Sequence, residues 1–401
     1  MDMNKEKWEI KKLGEVCDLK NGFAFKSSDY IPFSNTMNFR MSQIRVGGNV
    51  DLGNDPKYLP DSFANIYREY LLEEGDLVIA MTDMAKEIKI LGVPTIVPQD
   101  NRNLLLNQRV GKLTNIDKSK IDVNFLKYAL TTKSVSNYYK SLGRGGLQIN
   151  LGKQEILKVS IPIPPLSTQE KIVSELDTLH RLKELQEQQL AELDNLAQST
   201  FYHLFGDPIE NEKGWKVKKL GEVCEIVRGG SPRPISKFLG GNIPWIKIGD
   251  ATIEDSVYLH STKEHIISDG ISKSRLIPAG SMIFANCGVS LGFARIITFE
   301  GCIHDGWLAF NNINENDFDK VFLLKLLNMQ TNYFRQIAPD GTQPNLNTAI
   351  MKNLIIINPP LILQKNFISR IEKIETQKEL IKQSIGETQL LIDYTMDKYF
   401  G

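Results

Sequence analysis

Apolar positions along the chain fall into two patterns that take turns. Over residues 1–160 and again over 207–355 they come in short runs, Leu77 to Met81, Val159 to Ile163, Met282 to Ala285 and Leu354 to Ile357, separated by Gly, Pro and Asn. Short apolar runs closed by turn formers predict strands. Each stretch also holds a helical signature: Phe125-Leu126-Lys127-Tyr128-Ala129-Leu130 with Tyr138-Tyr139, and Phe322-Leu323-Leu324-Lys325-Leu326-Leu327 with Tyr333-Phe334. One helix is therefore expected among the strands of each, an α+β arrangement.

The second pattern is a long helix. After Pro164-Pro165 no Pro or Gly occurs until Gly206, and after Pro359-Pro360 only Gly386 interrupts. Ser167, with Glu170 three residues on, is the expected N-cap. Roughly 38 helical residues would extend about 57 Å. Ile172, Leu179 and Leu193 share one heptad position and Leu176, Leu190 and Leu204 the other, broken by Lys183, Gln186, Ala197 and Thr200. The same register 195 residues on gives Phe367, Ile371, Ile374, Lys378, Ile381, Ile385, Thr388, Ile392, Thr395 and Tyr399. Matched stripes predict that the two helices pair as a coiled coil. The alternative, each helix lying on its own domain, sits badly with that length. Lys183 and Lys378 either fix the register or snorkel to solvent. Antiparallel pairing, with a pseudo-two-fold axis, follows because each helix leads back to the other half's domain.

The patterns repeat because the sequence does. Trp8-Glu9-Ile10-Lys11-Lys12-Leu13-Gly14-Glu15-Val16-Cys17 recurs 207 residues later as Trp215-Lys216-Val217-Lys218-Lys219-Leu220-Gly221-Glu222-Val223-Cys224. Gly75-Asp76-Leu77-Val78-Ile79-Ala80 matches Gly280-Ser281-Met282-Ile283-Phe284-Ala285, and Gln148-Ile149-Asn150-Leu151 matches Gln343-Pro344-Asn345-Leu346. The offset falls from 205 to 195 between the last two pairs, so about ten residues of the first half are missing from the second. Four segments result: a domain over 1–165, a helix over 166–206, a domain over 207–360 and a helix over 361–401.

Composition narrows the function. The 48 basic residues balance 48 acidic ones, and 41% apolar residues are an ordinary globular share, which argues against disorder. No run approaches the roughly 18 apolar residues of a membrane span, and the first ten residues lack a signal peptide's apolar core, so no membrane and a cytoplasmic location are expected. Cys17, Cys224, Cys287 and Cys302 form no CxxC pair, and five histidines offer no metal-ligand spacing. Residues 1–165 carry 23 Lys+Arg against 19 Asp+Glu, and 166–205 carry 3 against 7. A polyanion would need one basic face rather than a basic protein.

The Trp-x-x-x-x-Leu-Gly-Glu opening of each half, the Gly-Asp-Leu-Val-Ile-Ala run, Gly341-Thr342-Gln343-Pro344-Asn345-Leu346, the Ile161-Pro162-Ile163-Pro164-Pro165-Leu166 entrance with Gln169, and the Phe205-Gly206-Asp207-Pro208 exit follow one another in family order. Together they resemble the specificity subunit of Type I restriction-modification systems, over essentially the whole chain. The resemblance implies two target-recognition domains, each reading half of a split double-stranded DNA target, and paired helices that set the gap. It also implies two copies of an adenine-N6 methyltransferase subunit as partners, and two restriction subunits in a larger assembly. S-adenosylmethionine, ATP and Mg would then belong to partners, with no cofactor, no metal and no catalytic residue in this chain. The residues agree with that: Asn358-Pro359-Pro360 starts like an adenine methyltransferase loop, but Leu361 replaces its aromatic residue, the matched Ile163-Pro164-Pro165 lacks the Asn, and neither a Gly-x-Gly turn nor a Walker loop occurs. The reading from another class is a two-headed protein-binding scaffold on the same spacer.

Major-groove readers use Arg or Lys on guanine and Asn or Gln on adenine, with Lys, Arg and Ser on phosphates. In the first domain the candidates are Lys20, Lys26, Arg40, Ser42, Gln43, Arg45, Met84, Lys86, Arg144, Gly146, Gln148 and Asn150. In the second they are Arg228, Arg233, Lys237, Lys247, Thr342, Gln343 and Asn345. Residues kept between halves, such as Gln148 and Gln343 or Asn150 and Asn345, suit structure or phosphates. Residues that differ at matched places, with Arg40 set against Ile246, suit base reading. Trp8 and Trp215 are expected as core anchors rather than base-stacking residues.

Overall fold

The computed structural model describes residues 8–143, 146–251, 257–339 and 345–401. The chain divides into two compact units, one reaching to Gln186 and including Ser384–Gly401, the other Glu187–Gln383. Each unit holds one domain with part of both long helices.

In the first unit, β1 (Glu9–Lys12) pairs antiparallel with β12 (Ser160–Ile163). β2 (Asp18–Asn21), β10 (Val110–Thr114), β6 (Leu77–Ala80) and β8 (Pro94–Ile96) form an antiparallel sheet in that order. β4 (Tyr58–Leu59), β3 (Thr36–Phe39), β9 (Asn103–Leu106) and β5 (Leu71–Leu72) form a second sheet, in which β3 and β9 run parallel. β7 (Thr82–Met84) and β11 (Gln148–Asn150) make a small ribbon. α1 (Phe63–Ile66) is a single turn. β6 explains the layering. Successive side chains of a strand face opposite ways, so Leu77 and Ile79 enter a core built with Phe125, Leu126 and Tyr139, while Val78 and Ala80 enter one built with Met37, Phe39 and Leu106. Each buried Leu, Ile or Val there stabilises the fold by about 1.5–3 kcal/mol.

The expected single helix is two. α2 (Val123–Leu130) is capped by Asp122, whose carboxylate accepts the Phe125 N–H, and α3 (Lys133–Leu142) by Thr132, whose hydroxyl accepts the Val135 N–H. A Thr poised to cap a new helix ends the old one, which the apolar pattern alone does not reveal. α4 (Lys153–Leu157) completes the layer.

The long helix α5 (Leu166–Phe205) starts one residue before Ser167. Ser167 is therefore inside the helix and not its cap: the Pro165 carbonyl accepts the N–H groups of Thr168 (2.8 Å) and Gln169 (3.0 Å). The Gln169 side chain, fully buried, donates to the carbonyls of Lys120 and Pro164 (both 2.7 Å) and accepts the Asp122 N–H (2.8 Å). It ties the entrance of α5 to the cap of α2.

The second unit repeats this plan. β13 (Val217–Lys219) pairs with β23 (Ile355–Ile357). β14 (Glu225–Arg228), β22 (Trp307–Asn311), β19 (Met282–Ala285) and β20 (Ala294–Ile297) follow the order of β2, β10, β6 and β8, with β16 (Tyr258–Leu259) added at the edge. β17 (Glu264–Ile266), β15 (Leu239–Ile246), β21 (Gly301–Ile303) and β18 (Arg275–Ile277) follow β4, β3, β9 and β5, including the one parallel pair. Its helices are α6 (Leu220–Val223), α7 (Lys320–Met329), α8 (Thr331–Ile337), α9 (Thr348–Asn353) and α10 (Leu361–Phe400). Gln364 repeats Gln169, with bonds to the Asp317 (2.9 Å) and Pro359 (2.8 Å) carbonyls and the Asp319 N–H (2.8 Å). The Asn358-Pro359-Pro360 segment is thereby part of the helix entrance. Gly386, expected to interrupt, lies inside α10 on an exposed face.

The helices run antiparallel within each unit. In the first, Lys183 donates to Gln389 (2.7 Å), Gln186 to Ser384 (2.8 Å) and Tyr399 to Glu175. In the second, Lys378 pairs with Asp194 (2.6 Å), and Phe201 packs edge-on to Phe367. Ile172, Leu176, Phe367, Ile371, Ile374, Lys378 and Ile392 are buried, and Leu179, Lys183, Leu190, Leu193, Ile381 and Ile385 half-buried, between exposed neighbours. Lys378, 3% exposed, does not snorkel: it bonds Asp194 on the facing helix and Glu375 (3.3 Å), which also pairs with Lys325 of α7. Its repeat partner Lys183 is half-buried and bonds an uncharged glutamine. Among the described residues no helix is long and apolar enough to cross a membrane.

Candidate nucleic-acid interface

The strand registers gather several loops at one end of the first unit's sheets. Asn21 pairs with Gly111, and Ala80 with Val110, so β2 ends, β10 begins and β6 ends on the same side. The Asn107 N–H bonds the Phe39 carbonyl (3.0 Å), bringing in the exit of β3 and Arg40. Met81 donates to the Arg109 carbonyl (2.9 Å) and accepts from the Leu151 N–H (2.8 Å), which brings in the ribbon of β7 and β11. Gly22 presses against this turn so closely that a Cβ would lie 2.2 Å from the Asn107 carbonyl oxygen. Only glycine fits there.

The second unit builds the same edge with nearly the same bonds. His304 N–H meets the Ile246 carbonyl (3.1 Å), Asn286 donates to Gly306 (3.0 Å), and Leu346 donates to Asn286 (2.8 Å). Gly229 takes the place of Gly22, its Cβ position 2.1 Å from the His304 carbonyl oxygen. These bonds equate Asn21 with Arg228, Asn107 with His304, Gln108 with Asp305 and Arg109 with Gly306.

They also correct two expectations. Arg40 matches Lys247, not Ile246: both precede a short 3-10 turn whose third residue, Gln43 or Asp250, accepts their backbone N–H at 2.7 and 2.8 Å. Ile246 is a fully buried strand residue. Gln43 is fully buried as well, its amide donating to Ser42 Oγ (3.0 Å) and the Asn54 carbonyl (2.7 Å), so it has no free edge to offer a base.

The other candidates divide by what holds them. Arg40 pairs with Asp55 (3.0 Å), Arg45 with Asp51 (2.6 Å) and Lys247 with Glu264. Lys20 donates to the Glu69 carbonyl (2.6 Å) and carboxylate (3.0 Å) over the Tyr70 ring. Ser42 is half-buried under Gln43. Asn150 accepts from the Thr82 hydroxyl (2.7 Å), and Asn345 from Asn286 (3.3 Å). Lys26, Lys86, Gly146 and Lys237 are exposed. Met84, 49% exposed, sits opposite half-buried Gln148 on the ribbon. Arg144, Thr342 and Gln343 lie outside the described residues. Trp8 is half-buried against the first core, and Trp215 donates to the Phe205 carbonyl (2.8 Å).

Asp83 and Asp305 organise the two edges differently. Asp83 is buried and accepts the N–H groups of Met84 (2.7 Å), Lys89 (2.5 Å), Ile90 (2.5 Å) and Leu91 (3.1 Å), which closes the loop after β7. Asp305 accepts from Ser231 (2.8 Å), pairs with His304 (3.0 Å) and lies 3.5 Å from Arg233. Burial by itself would raise its carboxyl, but the Ser231 hydrogen bond and the charges of His304, Arg233 and Arg228 hold it below the usual carboxylate range. Sequence reasoning missed Asn21, Gln108, His304 and Asp305. The signal that finds them is the backbone equivalence of the two halves.

Chemistry elsewhere is sparse. Cys17 and Cys224 are buried, and burial pushes both thiols up to about 12. Among the described residues no group of three His, Cys, Asp or Glu could hold a metal ion.

Residues 5–195 and 212–388 each match the family described as Type I restriction modification DNA specificity domain. The Type I restriction enzyme MjaIX specificity subunit of Methanocaldococcus jannaschii is 26% identical over 295 residues, 66% of this chain and 66% of its own length. The HindI specificity subunit of Haemophilus influenzae is 26% identical over 169 residues, 40% of this chain and 36% of its own. The chain thus spans less than two thirds of these curated relatives. Among solved structures, the Type I restriction-modification S subunit from M. genitalium aligns over 98% of this chain and 96% of its own, with TM-score 0.55 and 15% identity. A chain from a study of complex assembly and conformational transition of the Type I system aligns over 98% and 97%, with TM-score 0.61 and 19% identity. These two likenesses are likenesses of fold.

Proposed function

Because the chain belongs to the Type I restriction-modification DNA specificity family and carries its domain twice, we propose that it reads a bipartite double-stranded DNA target, one half-site per domain, across a gap fixed by the paired helices. The observation that carries this reading is the duplicated edge, one backbone scaffold bearing different side chains. Two readers of different half-sites need that combination: a shared frame for docking on the duplex and private groups for bases. Arg40 and Lys247, basic in both halves, suit phosphates. Asn21, Gln108, Arg228 and Asp305, which change between halves, suit bases.

The chain directs catalysis rather than performing it. Two methyltransferase subunits supply adenine-N6 methylation from S-adenosylmethionine, and restriction subunits supply ATP- and Mg-dependent cleavage, in the cytoplasm. The paired helices are the docking surface for the methyltransferases. Supporting this, Leu182, Leu185, Leu390, Leu391 and Tyr394 stand 44–70% exposed on the first unit's helices, and Leu196 and Leu380 on the second's. Clustered exposed apolar side chains mark protein contacts.

Co-expression with the cognate methyltransferase subunit, followed by mapping of N6-methyladenine in host DNA, tests the reading. The expected result is a motif of two short half-sites with a constant gap. Association without any motif would favour a protein-binding scaffold instead.

A further inference from the structure

The equivalence of Asn21 and Arg228 carries a reading of bases. Each is the exposed last residue of its strand, opposite Gly111 and Leu308 respectively. Each is followed by a glycine whose peptide is pressed onto the turn at 107 or 304. The backbone therefore presents both side chains from the same place on the same scaffold. Their surroundings leave both available. Asn21 has no side-chain partner among the described residues. Arg228 is exposed and anchored through Nε to the Asp305 carbonyl at 3.4 Å, and its two terminal nitrogens make no hydrogen bond among the described residues.

Resting on the DNA-reading function above, we propose that Asn21 and Arg228 read the corresponding base pair of the two half-sites, Asn21 an adenine and Arg228 a guanine. The chemistry is that of major-groove edges. An amide side chain donates to N7 and accepts from N6 of adenine in opposite sense, pairing its acceptor with the N6 amine and its donor with N7. A guanidinium donates twice, to O6 and N7 of guanine. Neither pairing suits the other base. The matched basic pair Arg40 and Lys247 does not discriminate halves, and each of its members is already in an ion pair. Asn21 and Arg228 are the matched positions at which adenine-type and guanine-type readers replace one another.

The test uses the full chain with its methyltransferase subunit, acting on a plasmid library of randomised duplex sequence, with methylated sites read out. Asn21→Arg should turn one A·T pair of one half-site into G·C, and Arg228→Asn one G·C pair of the other half into A·T. The gap and the untouched half should stay constant as internal controls of folding and assembly. Discrimination at the altered position should shift by about ten- to a hundredfold. If a swap prevents assembly, Asn21→Ala and Arg228→Ala should each relax one position in one half. Unchanged motifs, or a loss spread evenly over all sequences as for a phosphate contact, would overturn the assignment. A wild-type complex that methylates without any motif would instead defeat the DNA-reading function itself.

Discussion

The entrance of each long helix and the loop edge of each domain are both duplicated, yet they have been treated differently. At the entrance, Gln169 and Gln364 keep the same residue, the same burial and the same three bonds. At the edge the backbone bonds recur while the side chains change, Asn107 to His304 and Gln108 to Asp305. A buried amide that satisfies three backbone groups admits no substitute without orphaning them. The edge asks less of its side chains: Asn107 and His304, though unlike, each accept the N–H two residues on (3.1 and 2.9 Å), and Gln108 is exposed. Invariance thus marks where the scaffold is held, and divergence marks where it is used.

The largest test of this comparison is Gln364→Ala. It orphans two carbonyls and one N–H, and should cost the second unit about 3 kcal/mol, seen as lost hydrogen-exchange protection at the start of α7. Gln169→Ala should do the same to α2 alone.

Asp83→Ala comes next. It should cost about 2 kcal/mol locally and raise exchange at Lys89, Ile90 and Leu91, with no counterpart in the second unit, where Gly288 occupies the matched position. Lys378→Ala should destabilise the helix pair by about 1–2 kcal/mol, because the partners keep partial access to water. Lys378→Met, similar in volume, should be near neutral, and Lys183→Met should change denaturant midpoints still less.

A smaller effect is pH dependence in both units. Desolvation, chiefly, holds both imidazoles below the ordinary value, that of half-buried His304 and, despite its exposure on α5, that of His180 where its ring stacks on Tyr128. As pH falls below 6.5 the unfolded chain takes up protons that the folded chain resists, so stability should drop below that value and stay level above it. Melting at pH 7.5 and 5.5 should show the loss, and His180→Asn or His304→Asn should each diminish it. Smallest is Gly386→Ala, in open space on α10, which should stabilise the helix by about 0.5–1 kcal/mol.

Much of the fold was legible in the sequence because its signals are periodic. The heptads from Ile172 to Leu204 and from Phe367 to Tyr399 fall on buried or half-buried positions throughout. The edge was legible only in outline. A single exposed Asn21 or Gln108 has no period and no motif. The insertions between the halves leave the alignment of loops free to slip by one, which set Arg40 against Ile246. Gln43 read as a polar loop residue because its burial depends on capping a turn, a local bond that composition does not reveal. The glutamines at the helix entrance were visible as a repeat, but their partners lie up to 49 residues away.

That one scaffold carries two interchangeable edges can be tested by replacing the first domain, residues 10–163, with a second copy of 217–358 and mapping methylation by the resulting complex. The expected target is two identical half-sites in inverted orientation, with the original gap. Retention of the original first half-site, or a changed gap, would contradict it.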